Sequence, residues 1–362
     1  MSMLQRYGSP LVEVVIIEQD KADDVMVTWS YPGVNPTLAG VLEARSMLGL
    51  GKTPLAFTFS KFENSWIYIH TRGLGGDDEE EDVGAETEKD GALGKVKAFS
   101  ICLVCKEYNP ERYAALSRLF GNVYEKTQTP LTVLQGFLKV LTTGGVGEYD
   151  PDDYPAKDAY LATSIKDIIR TFGIEVILLW TALMMKKRVF VYCDKMTTLL
   201  RAIRSFPLFV WHRQNFDQLR PFVNPTEVEL EDLEKAKVYI AGFTDPSMKN
   251  RQDLYDIFID ISERSISVAE HAKSDFRLGA FHKDLAETLV ESGEDPEVSA
   301  LEILKDLTIR SKEFVMKLHS LQVEDEHGNK GITIESLQQR QLPANMGQFL
   351  YAVASAEGLA MQ

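Results

Sequence analysis

Cysteine is scarce: the 362 residues hold three, Cys102, Cys105 and Cys193. A small, odd number excludes a disulfide framework and fits a reducing, cytosolic compartment. Cationic surplus is missing as well. Thirty-nine Lys and Arg stand against 54 Asp and Glu, a formal net charge of −15, so a phosphate backbone is repelled and nucleic acid is not an expected partner. The one short basic run, Lys186-Lys187-Arg188, reads as the charged end of a helix before a strand, because cations suit a helix C-terminus. Long apolar runs are also lacking. The most apolar helical window, Ile174 to Met185, is too short to span a bilayer and reads as a buried core helix. Met1 to Pro10 shows no secretory pattern, and the closing Ala360-Met361-Gln362 is no prenylation box, so any membrane association is expected through partners.

What is present is the balance of a globular protein, 44% hydrophobic and 26% charged. The length exceeds the usual single core, so two lobes are expected. Leu11 to Ile17 and Val25 to Ser30 read as buried strands across the polar turn Asp20–Asp24. Asn35-Pro36 pairs a helix cap with a proline at the first helical position, and the device recurs at Asn109-Pro110 and Thr129-Pro130. The helices it opens are expected to run to about Leu48, Glu125 and Leu141, with strands at Ala56–Ser60, Ser65–Thr71 and Ala98–Lys106. The order β-β-α-β-β-β-α-α over residues 1–142 is that of a longin-type domain, an antiparallel sheet between helices. Residues 73–94 hold nine acidic side chains, one lysine and several glycines, so this insert is expected to be a disordered loop.

The glycines and prolines of 143–155 mark a linker, and 156–362 reads as a second lobe. Lys157 to Thr171 is an amphipathic helix, then comes the apolar helix 174–185 and the strand Val189–Cys193. A helix near Thr197–Ser205, a strand Leu208–Trp211, a helix Glu227–Lys235 and a strand Val238–Phe243 follow. This alternation predicts a mainly parallel, three-layer α/β lobe. Ile257–Ile261 and Ser265–Val268 form an expected hairpin, and the rest is a helical tail broken at Glu324–Gly331.

Motifs of covalent chemistry do not hold up. Gly49-Leu50-Gly51-Lys52-Thr53 resembles the end of a phosphate-binding loop, but Ser46 stands where the first glycine belongs and the strand–loop–helix order is reversed. Cys102 and Cys105 have redox spacing, yet residues three apart on a strand face opposite sides, and no second pair completes a zinc site. The six histidines lack metal spacing, and no Gly-x-Ser-x-Gly elbow occurs. No cofactor or metal is implied, and no enzyme of covalent chemistry is expected.

The ordered segments resemble the DENN family. Pro54-Leu-Ala-Phe-Thr-Phe59 leading into Trp66-Ile-Tyr68 is similar to the early N-terminal DENN lobe. Glu175 through Tyr192, Leu208-Phe-Val-Trp211-His212-Arg213 and Lys237-Val-Tyr-Ile-Ala-Gly242-Phe resemble the central region. Asp158 through Ile168, Trp211–Gln214, Asp253–Asp256 and Asn345–Gln362 resemble its short, DENN-only branch, the long acidic insert being a departure. The resemblance implies a bilobal α/β module that regulates Rab-type small GTPases as a guanine-nucleotide exchange factor, cytoplasmic and recruited to (late) endosomes. It also implies an alternative: a scaffold binding coiled-coil subunits of the Commander endosomal recycling assembly. Tyr31 and Pro32 are candidate partner anchors, with a tyrosine packed under its own helix as the structural alternative. Trp211, His212 and Arg213 match the family pattern and are candidate partner contacts, the favoured reading of them being a buried strand-end aromatic beside a satisfied histidine. Asp167 and Arg188 are expected to pair and brace the second lobe.

Overall fold

The computed structural model describes residues 10–49, 54–74, 92–324, 328–340, 342 and 344–361. The chain divides into two compact units, 1–162 and 163–362.

In the first unit, strands β1 (Leu11–Asp20), β2 (Val25–Tyr31), β3 (Phe57–Phe62), β4 (Ser65–Gly73) and β5 (Val96–Cys105) form one sheet in the order β2-β1-β5-β4-β3. Every pairing is antiparallel. Helix α1 (Pro36–Ser46) covers one face; α2 (Pro110–Thr127) and α3 (Pro130–Thr143) cover the other. Strand alternation sorts the core. Val15, Ile17, Ile67, Ile69 and Cys102 pack with Val41 and Leu42 of α1. Tyr68, on the opposite side, stacks on Tyr113 of α2 at 4.6 Å, and its hydroxyl donates to the Glu107 carbonyl at 2.9 Å. Cys102 and Cys105 are both buried and free.

The three caps form as the sequence predicts: side-chain oxygens of Asn35, Asn109 and Thr129 accept from the N–H groups of Leu38, Arg112 and Leu131, each ahead of a proline in the first turn. The order around 49–53 is helix, then strand, since α1 ends at Ser46 and β3 begins at Phe57; residues 50–53 themselves, like 75–91 of the acidic insert, lie outside the described residues.

The division falls later in the chain than the expected linker at 143–155. The segment after α3 is fastened to the first unit: Asn109 Nδ2 donates to the Tyr154 carbonyl at 2.8 Å and Arg112 Nε to the Tyr149 hydroxyl at 2.8 Å. Tyr108 stacks on Tyr160 of the short helix α4 (Ala156–Tyr160) at 5.8 Å. The expected helix Lys157–Thr171 is therefore two helices, α4 and α5 (Ile165–Phe172), separated by a turn.

The second unit continues through a 3₁₀ turn at Gly173–Glu175 into α6 (Val176–Met184), β6 (Val189–Tyr192) and α7 (Met196–Ile203). Then come β7 (Leu219–Arg220), α8 (Glu227–Lys235), β8 (Ile240–Phe243), β9 (Ile257–Asp260) and β10 (Ser265–Val268). The sheet order is β10-β9-β6-β8-β7, parallel apart from the β9–β10 hairpin. One face packs Phe190, Tyr239, Phe243 and Phe258 with Leu233 of α8; α7 touches β6 and β8 from the other. A parallel sheet covered on both faces reads as continuous apolar runs, which made these strands visible in the sequence.

Helices α9 (Ala280–Glu294) and α10 (Ala300–His319), the small hairpin β11 (Val323–Glu324) and β12 (Lys330–Gly331), α11 (Ile334–Gln338) and α12 (Ala344–Ala356) complete the unit. The hairpin lies where the sequence shows only a polar break. Trp180, Phe281, His282, Phe314 and Phe349 form an aromatic cluster joining α6, α9, α10 and α12. The expected strand Leu208–Trp211 is corrected: Phe206–Arg213 is a pair of 3₁₀ turns meeting at a kink at Val210. Pro207 lacks a ladder donor and its fixed φ suits a first helical turn, and a four-residue apolar run cannot tell a buried strand from a buried turn.

Candidate functional site

Tyr31 ends β2 and Pro32 follows in the exposed turn that leads to the Asn35 cap. Ser30 Oγ accepts from the Val34 N–H at 3.3 Å and fixes that turn. The Tyr31 ring does not lie under α1. It meets Phe137 of α3 edge to face, centroids 5.8 Å apart at 77°, while 39% of the residue stays exposed. Phe137 is itself fully buried, so Tyr31 is held on a rigid base with its outer edge in water.

Beside it, α3 buries Val133, Phe137 and Val140 but turns Leu131 and Leu138 outward, at 63% and 40% exposure. Leu134 and Leu141, half-buried, continue the same stripe at positions i+3 and i+10 from Leu131. Such a contiguous apolar surface beside a rigid tyrosine has the character of an interaction site. The α3 leucines escaped sequence reasoning: their helix was expected, but nothing local separates an outward leucine from an inward one in a helix apolar on more than one face.

Trp211, His212 and Arg213 have structural tasks in the second unit. Arg213 donates from Nη1 to the Leu183 carbonyl at 2.6 Å and from Nη2 to the Met184 carbonyl at 2.7 Å, closing the C-terminus of α6. Its Nε donates to Glu357 at 2.9 Å, beyond α12. Trp211 meets Phe216 edge to face at 6.3 Å. His212 is not satisfied as expected: neither ring nitrogen has a hydrogen-bond partner among the described residues. Burial, with the neighbouring Arg213 charge, pushes its pKa down to about 4.

The pairing of Asp167 with Arg188 is corrected. Asp167 is exposed on α5, and its carbonyl accepts from Thr171. Arg188 instead binds Asp256, by its backbone N–H at 2.7 Å and Nη2 at 3.1 Å, and the Asp253 carbonyl at 2.7 Å. His271 Nε2 lies 3.0 Å from the same Asp256. Burial alone would raise the Asp256 pKa; the donors of Arg188 and His271 outweigh it and hold the carboxyl below its usual range. Arg188 therefore does brace the unit, tying the α6–β6 turn to the start of β9. The rest of the basic run is also spent on latches, Lys186 on the Ala356 carbonyl and Lys187 on Asp275 at 2.5 Å. Among the described residues, no three His, Cys, Asp or Glu side chains gather into a metal-ligating group, and no helix is long and apolar enough to cross a membrane.

The family model described as "SPA: Stabilization of polarity axis" matches residues 162–270, the parallel-sheet part of the second unit. Together with full-length relatives, this defines the class: the chain belongs to the DENN-domain family, among its short, DENN-only proteins. It is 42% identical to DENN domain-containing protein 10 of Dictyostelium discoideum over 354 residues, 96% of this chain and 97% of that one. It is 36% identical to DENN domain-containing protein 10 of Danio rerio over 355 residues (96% and 97%), and 35% identical to that of Homo sapiens over 354 residues (96% of each).

Proposed function

We propose that this protein regulates a Rab-type small GTPase as a guanine-nucleotide exchange factor, in the cytoplasm and on endosomes of the late pathway to which partners recruit it. The observation that carries the reading is the outward apolar surface of the first unit, Tyr31 on Phe137 beside Leu131 and Leu138. A GTPase holds its nucleotide and Mg²⁺ partly through mobile switch loops. A surface that binds those loops best when the nucleotide is absent weakens nucleotide binding by reciprocity. Equal affinity for both states would achieve nothing. Rigid apolar anchors with a polar surround suit such a task, which asks for no nucleophile, acid or base. The test is release of a fluorescent GDP from a panel of Rab GTPases against excess unlabelled nucleotide. Acceleration for one or two of them supports exchange; none, with the protein folded, removes it.

A second reading is favoured by the spacing of the same stripe. Leu131, Leu134, Leu138 and Leu141 run the length of α3 at 3-4-3 intervals, the pattern that packs against another helix. On this reading the protein is a scaffold gripping coiled-coil subunits of a Commander-type recycling assembly. A pull-down with such a coiled coil, unaccompanied by any effect on GDP release, favours the scaffold over exchange.

A further inference from the structure

Each of the two five-stranded sheets ends in two edge strands, β2 and β3 in the first, β10 and β7 in the second. An edge strand turns the N–H and C=O of alternate residues outward, and a row of such groups is a template for a strand of another chain. Here each edge has an outward backbone group that is met by a side chain. On β2, the Val27 N–H donates to Glu43 Oε1 of α1 at 2.9 Å. On β3, the Lys61 carbonyl accepts from Arg45 Nη2 of the same helix at 3.3 Å, while Nη1 donates to Ser60 Oγ at 2.8 Å. On β10, the Ile266 N–H donates at 3.0 Å to Oε2 of Glu175, the residue before α6. On β7, the Leu219 carbonyl accepts from Arg220 Nη1 at 3.2 Å.

The register shows that these groups point away from their sheets. Asp24 and Ala56 give their carbonyls to the neighbouring strand, Ala269 gives its N–H and Gln218 its carbonyl. Direction alternates along a strand, so Val27, Lys61, Ile266 and Leu219, each an odd number of residues away, face outward. One helix serves both edges of the first sheet. Glu43 and Arg45 lie two residues apart, about 200° around the axis of α1, so an acceptor leaves one flank for β2 and a donor leaves the other for β3. Arg45 is 2% exposed, with its guanidinium 5.8 Å from the Phe62 ring. The carboxylates do more than fill a place: a charged acceptor holds an N–H more strongly than the neutral carbonyl of an arriving strand, and its charge repels that carbonyl.

We propose that these side chains guard the sheet edges, and that Glu43 and Glu175 keep β2 and β10 from pairing with the same edge of a second copy of this chain. Each carboxylate occupies an N–H that would otherwise donate to the incoming strand. Removing a guard opens its edge to strand addition. The device belongs to the sheets of both units and does not depend on the function assigned to the Tyr31–α3 surface.

The test compares the full chain with its Glu43→Ala and Glu175→Ala variants by light scattering over a concentration series, with circular dichroism to follow the fold. Each variant is expected to self-associate at least tenfold more tightly than the parent, with a gain of intermolecular strand signal in the amide I infrared band. Glu43→Gln keeps a side-chain acceptor for the Val27 N–H and is expected to behave as the parent. Glu43→Ala/Val27→Pro removes the outward donor as well, at an edge position of the kind that admits proline, and is expected to return to the association of the parent. The proposal is overturned if both alanine variants associate no more than the parent, if Glu43→Gln associates as strongly as Glu43→Ala, or if the double variant still associates. Should one alanine variant lose its fold, the other, in the other unit, decides; loss of fold in both overturns the proposal, because the carboxylates then hold the units together instead of guarding their edges.

Discussion

Acid should weaken the second unit through His282. This residue is 2% exposed, in the first turn of α9, with Phe349 at 4.6 Å, Phe281 at 5.6 Å and Trp180 at 6.3 Å. Its Nδ1 accepts the Gly279 N–H at 3.2 Å, which leaves the proton of the neutral ring on Nε2. Burial pushes its pKa down from the ordinary 6.5 to about 4. The unfolded chain therefore takes up a proton as pH falls through about 6.5, and the folded protein only near 4. Between these values unfolding binds a proton, so stability is complete above 6.5 and is lost on acidification. The linkage relation gives a loss of about 2 kcal/mol at pH 5, approaching about 3 kcal/mol at pH 4. His212 adds a loss in the same direction. His282→Asn keeps an acceptor for the Gly279 N–H but cannot titrate. Urea unfolding at pH 7.5 and 5.0 should show a smaller pH-dependent loss in the variant, by about 2 kcal/mol. Equal losses in parent and variant would refute the assignment.

Other perturbations separate packing from binding. Arg213→Ala leaves the Leu183 and Met184 carbonyls and Glu357 without their donor and should cost about 3 kcal/mol, read as a lowered urea midpoint. Gly242→Ala places a methyl carbon 2.2 Å from the Pro221 carbonyl oxygen and should destabilise by about 2 kcal/mol by thermal or urea melting, because backbone cannot move aside cheaply. Leu131→Ser and Leu138→Ser, on the exposed stripe of α3, should change stability by less than about 0.5 kcal/mol yet weaken partner binding at least tenfold by titration.

The two architectures were legible where local chemistry repeats a rule. Three cap-plus-proline pairs located α1, α2 and α3 to within two residues at their starts, and the apolar runs 189–193 and 238–243 announced a covered parallel sheet. The failures share a cause, the absence of a local signal. Phe206–Arg213 carries an apolar run that suits a strand or a turn equally well. Arg188 finds Asp256, 68 residues away, over Asp167, a choice made by the β6–β9 pairing that one-dimensional reading does not show. Likewise, the outward turn of Leu131 and Leu138 is decided by what α2 and β1 already cover. Tyr31 was visible as an exposed turn tyrosine, while its Phe137 base was not.

The most direct measurement is the affinity of the purified protein for a responsive Rab GTPase, taken once with GDP and Mg²⁺ bound and once nucleotide-free in EDTA, by biolayer interferometry. The account predicts binding at least about tenfold tighter to the nucleotide-free form, since only differential affinity drives exchange, with the difference lost in a Tyr31→Ala/Leu138→Ser double variant. Equal affinity for the two forms, or a preference untouched by the double variant, would contradict it.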